Sequence, residues 1–293
     1  MTDHERHYLV AGVTRRAAVL GHPVAHSRSP VLHAAAYEAL GLTDWEYQLH
    51  DVDEHELAGF LERLDDSWAG LSLTMPLKHE ALRLADHVDG LAKVVGAANT
   101  LLRQPGGLLV AANTDVHGLV ASLREVAPAG WQPRSAVIVG GGATASSALA
   151  AVGELGVHHP VVLARSLARV GAVRRAAAKT GLDPEYVALD RPGAPELLRS
   201  ADIVILTLPQ HAADPLAEWF TGANLSPSQV LLDAVYADWP TAAAAAWEQA
   251  GGTIASGFLM LLHQACEQVR LMTGHEAPVD AMRQALTDSL ARA

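Results

Sequence analysis

The chain has 293 residues, of which 50% are hydrophobic and 18% are charged, and its formal net charge is -11. This length and composition indicate a globular protein with one large or two ordinary domains, and they exclude a largely disordered chain. The acidic balance and the lack of a Lys/Arg-rich segment argue against nucleic acid or an anionic membrane as the partner.

Apolar segments of strand length alternate with helical patterns in the first third of the chain. The predicted elements are strands at 15–21, 45–52 and 68–75 and helices near 30–40 and 54–64. A hairpin follows at 99–115, with its turn at Pro105, Gly106 and Gly107. Strands that alternate with helices in this way predict a mainly parallel sheet.

A second series of strands and helices begins near Ser135. Its predicted strands are 135–139, 160–164, 186–189, 202–206 and 229–235. From Gly257 onward the pattern is helical, with apolar residues three and four positions apart. We expect domain boundaries near Asp115 and Ser256, so that residues 1–114, completed by 257–293, form one domain and residues 115–256 the other.

The single cysteine, Cys266, lies on an apolar helical stretch and is predicted to be a core residue. The N-terminal residues show no signal-peptide pattern, and no segment approaches the ~18 apolar residues of a membrane span. We therefore expect a cytoplasmic protein, either a monomer or a homodimer, that does not bind a membrane. The 15 histidines are scattered and form no HExxH motif, so no metal site is predicted.

The segment GHPVAHSRSPVLH places two hydroxyl groups, Ser27 and Ser29, shortly before Pro30. One interpretation is a helix start in which Ser29 is the N-cap and Pro30 the first helical residue. The other is an anion site, in which both hydroxyls and free N–H groups at the helix start bind a carboxylate or phosphate. The segment alone favours the cap, because caps are far commoner than ligand sites.

A glycine turn, VIVGGGATASSALA, follows a predicted buried strand and opens a helix. Gly140 permits the tight turn, Gly142 lets the backbone approach a pyrophosphate, and Ala145 allows close packing of the helix. In this strand-turn-helix setting the motif predicts dinucleotide binding; the alternative is an ordinary glycine-rich loop.

The next strand indicates which dinucleotide is bound. It ends at Ala164, where an NAD site would usually offer an acidic side chain to the ribose 2'-hydroxyl. Arg165, Ser166 and Arg169 are instead suited to a 2'-phosphate. We predict NADP, against the alternative that these arginines only solvate a helix start.

Polar side chains stand where several predicted strands end, at positions that a parallel sheet would gather at one ligand crevice. They are Ser27, Ser29, Thr74, Lys78, Asn99 and Asp115. A lysine near a helix start opposes the helix dipole, so Lys78 gains nothing structurally there. Beside a carboxylate it could exchange a proton with a substrate oxygen. The residues alone thus predict NADP-linked reduction of a small, polar, anionic carbonyl compound.

Six ordered motifs closely resemble the shikimate and quinate dehydrogenase family over nearly the whole chain. They are SRSP at 27–30, TMPLK at 74–78, GAANT at 96–100, NTD at 113–115, the glycine turn, and MLLHQA at 260–265. The resemblance implies reduction of 3-dehydroshikimate to shikimate by NADPH. It also implies a two-domain α/β fold: an N-terminal substrate domain with a mainly parallel sheet, a Rossmann-type NADP-binding domain, and a cleft between them.

By position, the resemblance implies that Lys78 and Asp115 form the catalytic pair. The implied substrate-binding residues are Ser27 and Ser29 with Tyr236 for the carboxylate, and Thr74, Asn99 and Gln264 for ring hydroxyls. The implied cofactor-binding residues are Gly140, Gly142, Ala143, Arg165, Ser166, Arg169, Thr207 and Met260. The chain departs from the common family pattern at Ser72 and Ala164, where asparagine is frequent, and at Ser166, where threonine is.

Two alternatives to this function remain open. A quinate/shikimate dehydrogenase that uses NAD resembles the same family. A non-catalytic NADP-responsive binding protein would share the fold, although both members of the proposed catalytic pair are present here.

Overall fold

The computed structural model describes residues 14–236 and 238–291, and within them it contains two six-stranded sheets. The first sheet has the strand order β2-β1-β3-β5-β6-β4. Its strands are β1 Arg15–Gly21, β2 Trp45–Asp51, β3 Trp68–Leu73, β4 His87–Val88, β5 Thr100–Arg103 and β6 Leu109–Ala112. Only β5 runs antiparallel to its neighbours, and it forms the hairpin with β6. The prediction of a mainly parallel sheet with one hairpin is confirmed.

The second sheet is wholly parallel and has the order β12-β11-β10-β7-β8-β9. Its strands are β7 Ala136–Val139, β8 Val161–Ala164, β9 Glu185–Ala188, β10 Ile203–Leu206, β11 Val230–Asp233 and β12 Thr253–Ala255. This is the doubly wound order of the Rossmann fold, with its switch point between β7 and β10. The sequence patterns did not predict β4 and β12, because two or three residues are too few to show a period.

Twelve α-helices connect and cover these strands in the described part of the chain. They are α1 Ser29–Ala39, α2 Leu57–Glu62, α3 Glu80–Leu84, α4 Gly90–Val95, α5 Asp115–Val126, α6 Ala143–Glu154, α7 Gly171–Thr180, α8 Ala194–Ser200, α9 Ala217–Phe220, α10 Ala242–Gln249, α11 Gly257–Thr273 and α12 Val279–Ala291. Among residues 14–236 and 238–291, no helix combines the length and apolar character that a bilayer crossing requires.

Both faces of the second sheet are covered, as a parallel sheet requires. Successive residues of β7 point to opposite faces. Ala136 and Ile138 belong to the core that α5, α6 and α7 cover, whereas Val137 and Val139 belong to the core beneath α8 and α10. Uninterrupted apolar strands therefore bury both of their faces.

The two C-terminal helices pack against α1. Leu262 of α11 and Met282 of α12 share a core cluster with Leu32 of α1. Cys266 is buried in the same cluster, and burial raises the pKa of its thiol to about 11, which confirms it as a core residue. Helix α11 also lies close to α5: a Cβ at Gly118 would stand 2.8 Å from the Met260 carbonyl oxygen.

Candidate active site

A pocket of about 200 Å³ lies where the carboxyl ends of β1 and β3 approach α5, α6 and α11. It brings together the predicted residues Ser27, Ser29, Thr74, Lys78, Asn99, Asp115, Tyr236, Met260 and Gln264. The other predicted residues, which do not line it, are Gly140, Gly142, Ala143, Arg165, Ser166, Arg169 and Thr207. Because Thr144, the second residue of α6, does line the pocket, the helix after the glycine turn begins at its edge.

Lys78 and Asp115 form an ion pair inside this pocket. The distance from Lys78 Nζ to Asp115 Oδ2 is 2.6 Å, and their side chains are 17% and 5% exposed. Lys78 lies in the turn between β3 and α3, and Asp115 is the first residue of α5, where the helix dipole favours a negative charge. The Lys78 amine is thus held by a carboxylate at the start of a helix.

Asn99 fixes the other oxygen of the Asp115 carboxylate. Its Nδ2 donates to Asp115 Oδ1 at 2.9 Å and lies 3.2 Å from Gln264 Oε1. Its Oδ1 accepts from the backbone N–H of Thr114 at 2.7 Å, which defines the orientation of the amide. Each oxygen of the carboxylate therefore accepts one hydrogen bond, from Asn99 and from Lys78.

The prediction that Ser29 caps α1 is wrong. Helix α1 begins at Ser29, Arg28 occupies the N-cap position, and no side chain caps the helix. The Arg28 carbonyl already accepts the N–H groups of Val31 at 3.1 Å and Leu32 at 3.2 Å, so no first-turn donor remains for a Ser29 cap. Instead, Ser27 Oγ accepts the N–H of Ser29 at 3.3 Å. Both hydroxyl groups line the pocket, as the anion-site interpretation expects, but the N–H groups of the first turn are already bonded and are not free for an anion.

Tyr236 closes the pocket from the loop after β11. Its ring centre lies 5.5 Å from that of Phe258. Burial raises the pKa of its hydroxyl, so the group is a hydrogen-bond donor at neutral pH. The loop is anchored by Asp233, which accepts from the Val235 N–H at 3.1 Å and from the Thr241 hydroxyl at 2.8 Å.

The glycine turn has the local geometry that a dinucleotide requires. Gly140 has φ +135°, and a Cβ there would lie 2.1 Å from Thr207 Oγ1. At Gly142, the N-cap of α6, a Cβ would meet nothing within 4 Å, and no side chain caps the helix. The open space and uncapped helix start beside Ala143 fit a pyrophosphate group.

The predicted phosphate-binding side chains follow β8, the strand next to β7. Arg165 and Arg169 are exposed, and Ser166 is half-buried. Their segment touches the glycine turn, because a Cβ at Gly141 would lie 3.3 Å from the Arg169 carbonyl oxygen. Two exposed arginines on a segment that contacts the turn fit a 2'-phosphate.

Some residues that line the pocket have no role predicted from the sequence. They include His26, Ser72, Thr144 and Gln268. The spacing of Gln264 and Gln268, one helical turn apart, is a signal that could have placed both on the same face of α11. Within residues 14–236 and 238–291, no group of three or more His, Cys, Asp or Glu side chains is arranged to hold a metal ion.

Comparison with known proteins bears directly on this site. The family described as "Shikimate dehydrogenase substrate binding domain" matches residues 19–101, and that described as "Shikimate 5'-dehydrogenase C-terminal domain" matches residues 257–287. A "Shikimate dehydrogenase (NADP(+))" from Rubrobacter xylanophilus is 34% identical over 284 residues, which cover 95% of this chain and 97% of the relative.

Solved structures show the same relationship. The crystal structure of Mycobacterium tuberculosis shikimate dehydrogenase is 40% identical, with a TM-score of 0.85, over 94% of this chain and 99% of that one. The Thermus thermophilus enzyme in complex with NADP(H) and shikimate is 30% identical, with a TM-score of 0.79, over the same shares of the two chains, 94% and 99%. With this identity over nearly its whole length, the chain belongs to the shikimate dehydrogenase family.

Proposed function

We propose that this protein catalyses the reversible, NADPH-dependent reduction of 3-dehydroshikimate to shikimate, a step in the biosynthesis of chorismate and the aromatic amino acids. The observation that carries the proposal is the Lys78–Asp115 ion pair in a pocket that adjoins the start of α6. Family membership supports it, because the curated relatives are NADP-dependent shikimate dehydrogenases.

The substrate carboxylate binds to Ser27, Ser29 and Tyr236, whose hydroxyl groups line the pocket and can donate hydrogen bonds. Thr74, Asn99 and Gln264 bind ring hydroxyls.

Lys78 acts at the oxygen that is bonded to the carbon being reduced or oxidised. Its Nζ donates a proton to the carbonyl oxygen as negative charge develops there, and in the reverse direction the amine accepts the proton of the hydroxyl. Asp115 holds the amine in place and compensates its charge. Bound NADPH supplies the hydride.

The cofactor would be held by its pyrophosphate at Gly140, Gly142 and Ala143 and by its 2'-phosphate at the segment after β8. The residues of that segment are Arg165, Ser166 and Arg169. Thr207, which lies beside Gly140, and Met260, in the pocket wall, would contact the nicotinamide half.

Residues 1–114 with 257–293 form the substrate domain in this proposal, and residues 115–256 form the cofactor domain. The packing of α11 and α12 on α1 supports this division. We further propose a cytoplasmic protein that is a monomer or a homodimer. Light scattering on the purified chain distinguishes these two states, and a larger assembly would contradict both.

The experiment that tests the function is a matrix of initial rates: shikimate or quinate, each with NADP⁺ or NAD⁺. We expect the highest kcat/KM with shikimate and NADP⁺. Faster oxidation of quinate with NAD⁺ would identify a quinate dehydrogenase. NADP⁺ binding without oxidation of either compound would identify a binding protein.

A further inference from the structure

Asn113 is a buried polar residue beside the pocket, and the proposed function gives it no role. It lies between the end of β6 and Asp115, the first residue of α5, and it is 5% exposed. It is not among the residues that line the pocket, so any contribution to the reaction must pass through other residues. Three segments of the chain meet at its amide group.

The Asn113 amide forms a hydrogen bond with each of these segments. Its Nδ2 donates to the Ala97 carbonyl oxygen at 2.9 Å and to Ser147 Oγ on α6 at 3.3 Å. Its Oδ1 accepts the backbone N–H of Val116 at 3.2 Å. Because a carbonyl can only accept and an N–H can only donate, these two backbone partners fix the orientation of the amide.

Two of the three bonds lie on either side of the bond between Asn99 and Asp115. Ala97 is two residues before Asn99, and Val116 is the residue after Asp115. Asn113 therefore holds together the two backbone segments whose side chains meet at Asn99 Nδ2 and Asp115 Oδ1, which are 2.9 Å apart. A shift of either segment would move the carboxylate that holds the catalytic amine.

Ser147 anchors this arrangement in the helix that follows the glycine turn. It is 0% exposed and lies one helical turn after Ala143, the first residue of α6. Val116 of α5 and Ala148 of α6 belong to the same core cluster, so the anchor is part of a packed interior. Satisfied hydrogen bonds between buried groups keep a defined geometry, because no water is present to replace them.

We propose that Asn113 is a positioning residue for the catalytic pair. Through its bonds to the backbone beside Asn99 and Asp115, it keeps the Asp115 carboxylate at the place where it holds the Lys78 amine. The effect falls on the chemical step rather than on binding, since the hydroxyl groups proposed for the substrate carboxylate belong to other segments. The inference rests on the proposed function and deepens it.

Asn113→Ser tests this role. Serine keeps a short acceptor for the Val116 N–H but loses the amide N–H groups that bond to Ala97 and Ser147. We expect the single-turnover rate constant for shikimate oxidation by NADP⁺ to fall about 10-fold or more, because a small displacement of a reacting group is costly. The KM values for shikimate and NADP⁺ should stay within about twofold. Single turnovers are measured so that product release cannot hide a slower chemical step.

A double-mutant cycle separates this role from a general loss of structure. In a Lys78→Ala background there is no amine for the carboxylate to hold, so Asn113→Ser should lower the rate by less than about twofold. Ser147→Ala removes only the anchor in α6 and should lower the rate less than Asn113→Ser does. Ser122→Ala removes a buried hydroxyl of α5 that bonds away from the pocket, and this matched control should leave the rate unchanged.

An unchanged rate in Asn113→Ser, or KM values that rise as much as the rate falls, would overturn the positioning role. An equal loss of rate with and without Lys78 would overturn it too. If Asn113→Ser does not fold, Asn113→Asp decides by the same pattern, since it keeps the shape of the side chain and replaces the donor by an acceptor. Failure of the unmodified protein to oxidise shikimate with NADP⁺ would instead refute the proposed function.

Discussion

The Lys78 ammonium group is the part of the pocket whose removal should affect the chemical step most directly. Lys78→Ala leaves the substrate-binding hydroxyl groups in place but removes the proton donor. We expect kcat to fall by about 100-fold or more, with a much smaller change in KM, as is typical when a general acid is lost. Steady-state kinetics in both directions measures this.

Lys93→Ala is the matched control, because the Lys93 side chain is exposed and lies outside the pocket lining. Its kcat should equal that of the unmodified protein. A Lys78→Ala variant that is folded, as judged by circular dichroism, and retains its kcat would remove Lys78 from the mechanism.

Ser27 should contribute to binding and little to the chemical step. Its Oγ accepts the Ser29 N–H, and its proton remains available to the substrate carboxylate. Ser27→Ala should weaken substrate binding by about 1.5 to 3 kcal/mol, the range for a hydrogen bond to a charged group. The readout is the KM for shikimate at saturating NADP⁺; an unchanged KM would contradict the anion-site interpretation.

Two glycines of the glycine turn should respond differently to substitution, one in the stability of the protein and the other in cofactor binding. Gly140→Ala combines φ +135° with a contact of 2.1 Å to Thr207 Oγ1, so we expect the free energy of unfolding to fall by about 2 to 4 kcal/mol. Gly142 has φ -92°, and a Cβ there meets nothing within 4 Å. Gly142→Ala should therefore change stability by less than about 1 kcal/mol.

For cofactor binding we expect Gly142→Ala to have a clear effect, although it changes stability little. The methyl group of Gly142→Ala would occupy space that the pyrophosphate needs, so the KM for NADP⁺ should rise about tenfold or more. Urea unfolding and cofactor kinetics on both variants test this. A Gly142→Ala protein that binds NADP⁺ normally would mean that the pyrophosphate lies elsewhere.

Local sequence patterns predicted well those elements that are long and the turn in which a glycine adopts a positive φ. Strands β1 and β3, helix α11 and the turn at Gly140 lie within a few residues of their predicted positions. The Ser29 cap was predicted wrongly because side-chain preference does not show which carbonyl accepts the first free N–H groups. In the structure the Arg28 carbonyl accepts them.

Stability of the whole molecule should depend on a buried histidine. His33 is 0% exposed and stacks on Tyr47 with ring centres 4.0 Å apart. Burial lowers the pKa of His33 to about 3, against an opposing effect of Gln268. The unfolded chain binds a proton at His33 near the ordinary pKa of about 6.5, but the folded protein does not, so the free energy of unfolding falls as the pH drops below that value.

Between pH 7.5 and pH 5.0 this group should cost about 2 kcal/mol of stability. His33→Phe keeps an aromatic ring against Tyr47 and removes the titration. Urea unfolding at both pH values should show a smaller loss for His33→Phe than for the unmodified protein, by about that amount. Equal losses would mean that His33 is protonated to the same extent in both states.

The sequence by itself was sufficient to predict the alternating α/β architecture, the glycine turn and the candidate side chains. These features depend on periodicity and on local backbone requirements. The family resemblance implied that Lys78 and Asp115 form a pair, but only the tertiary structure showed that these residues, 37 positions apart, are in contact, with Nζ 2.6 Å from Oδ2. It also showed the hydrogen bonds that Asn113 makes with Ala97 and Ser147. Contacts between distant segments follow from strand order and helix packing, which no local pattern encodes.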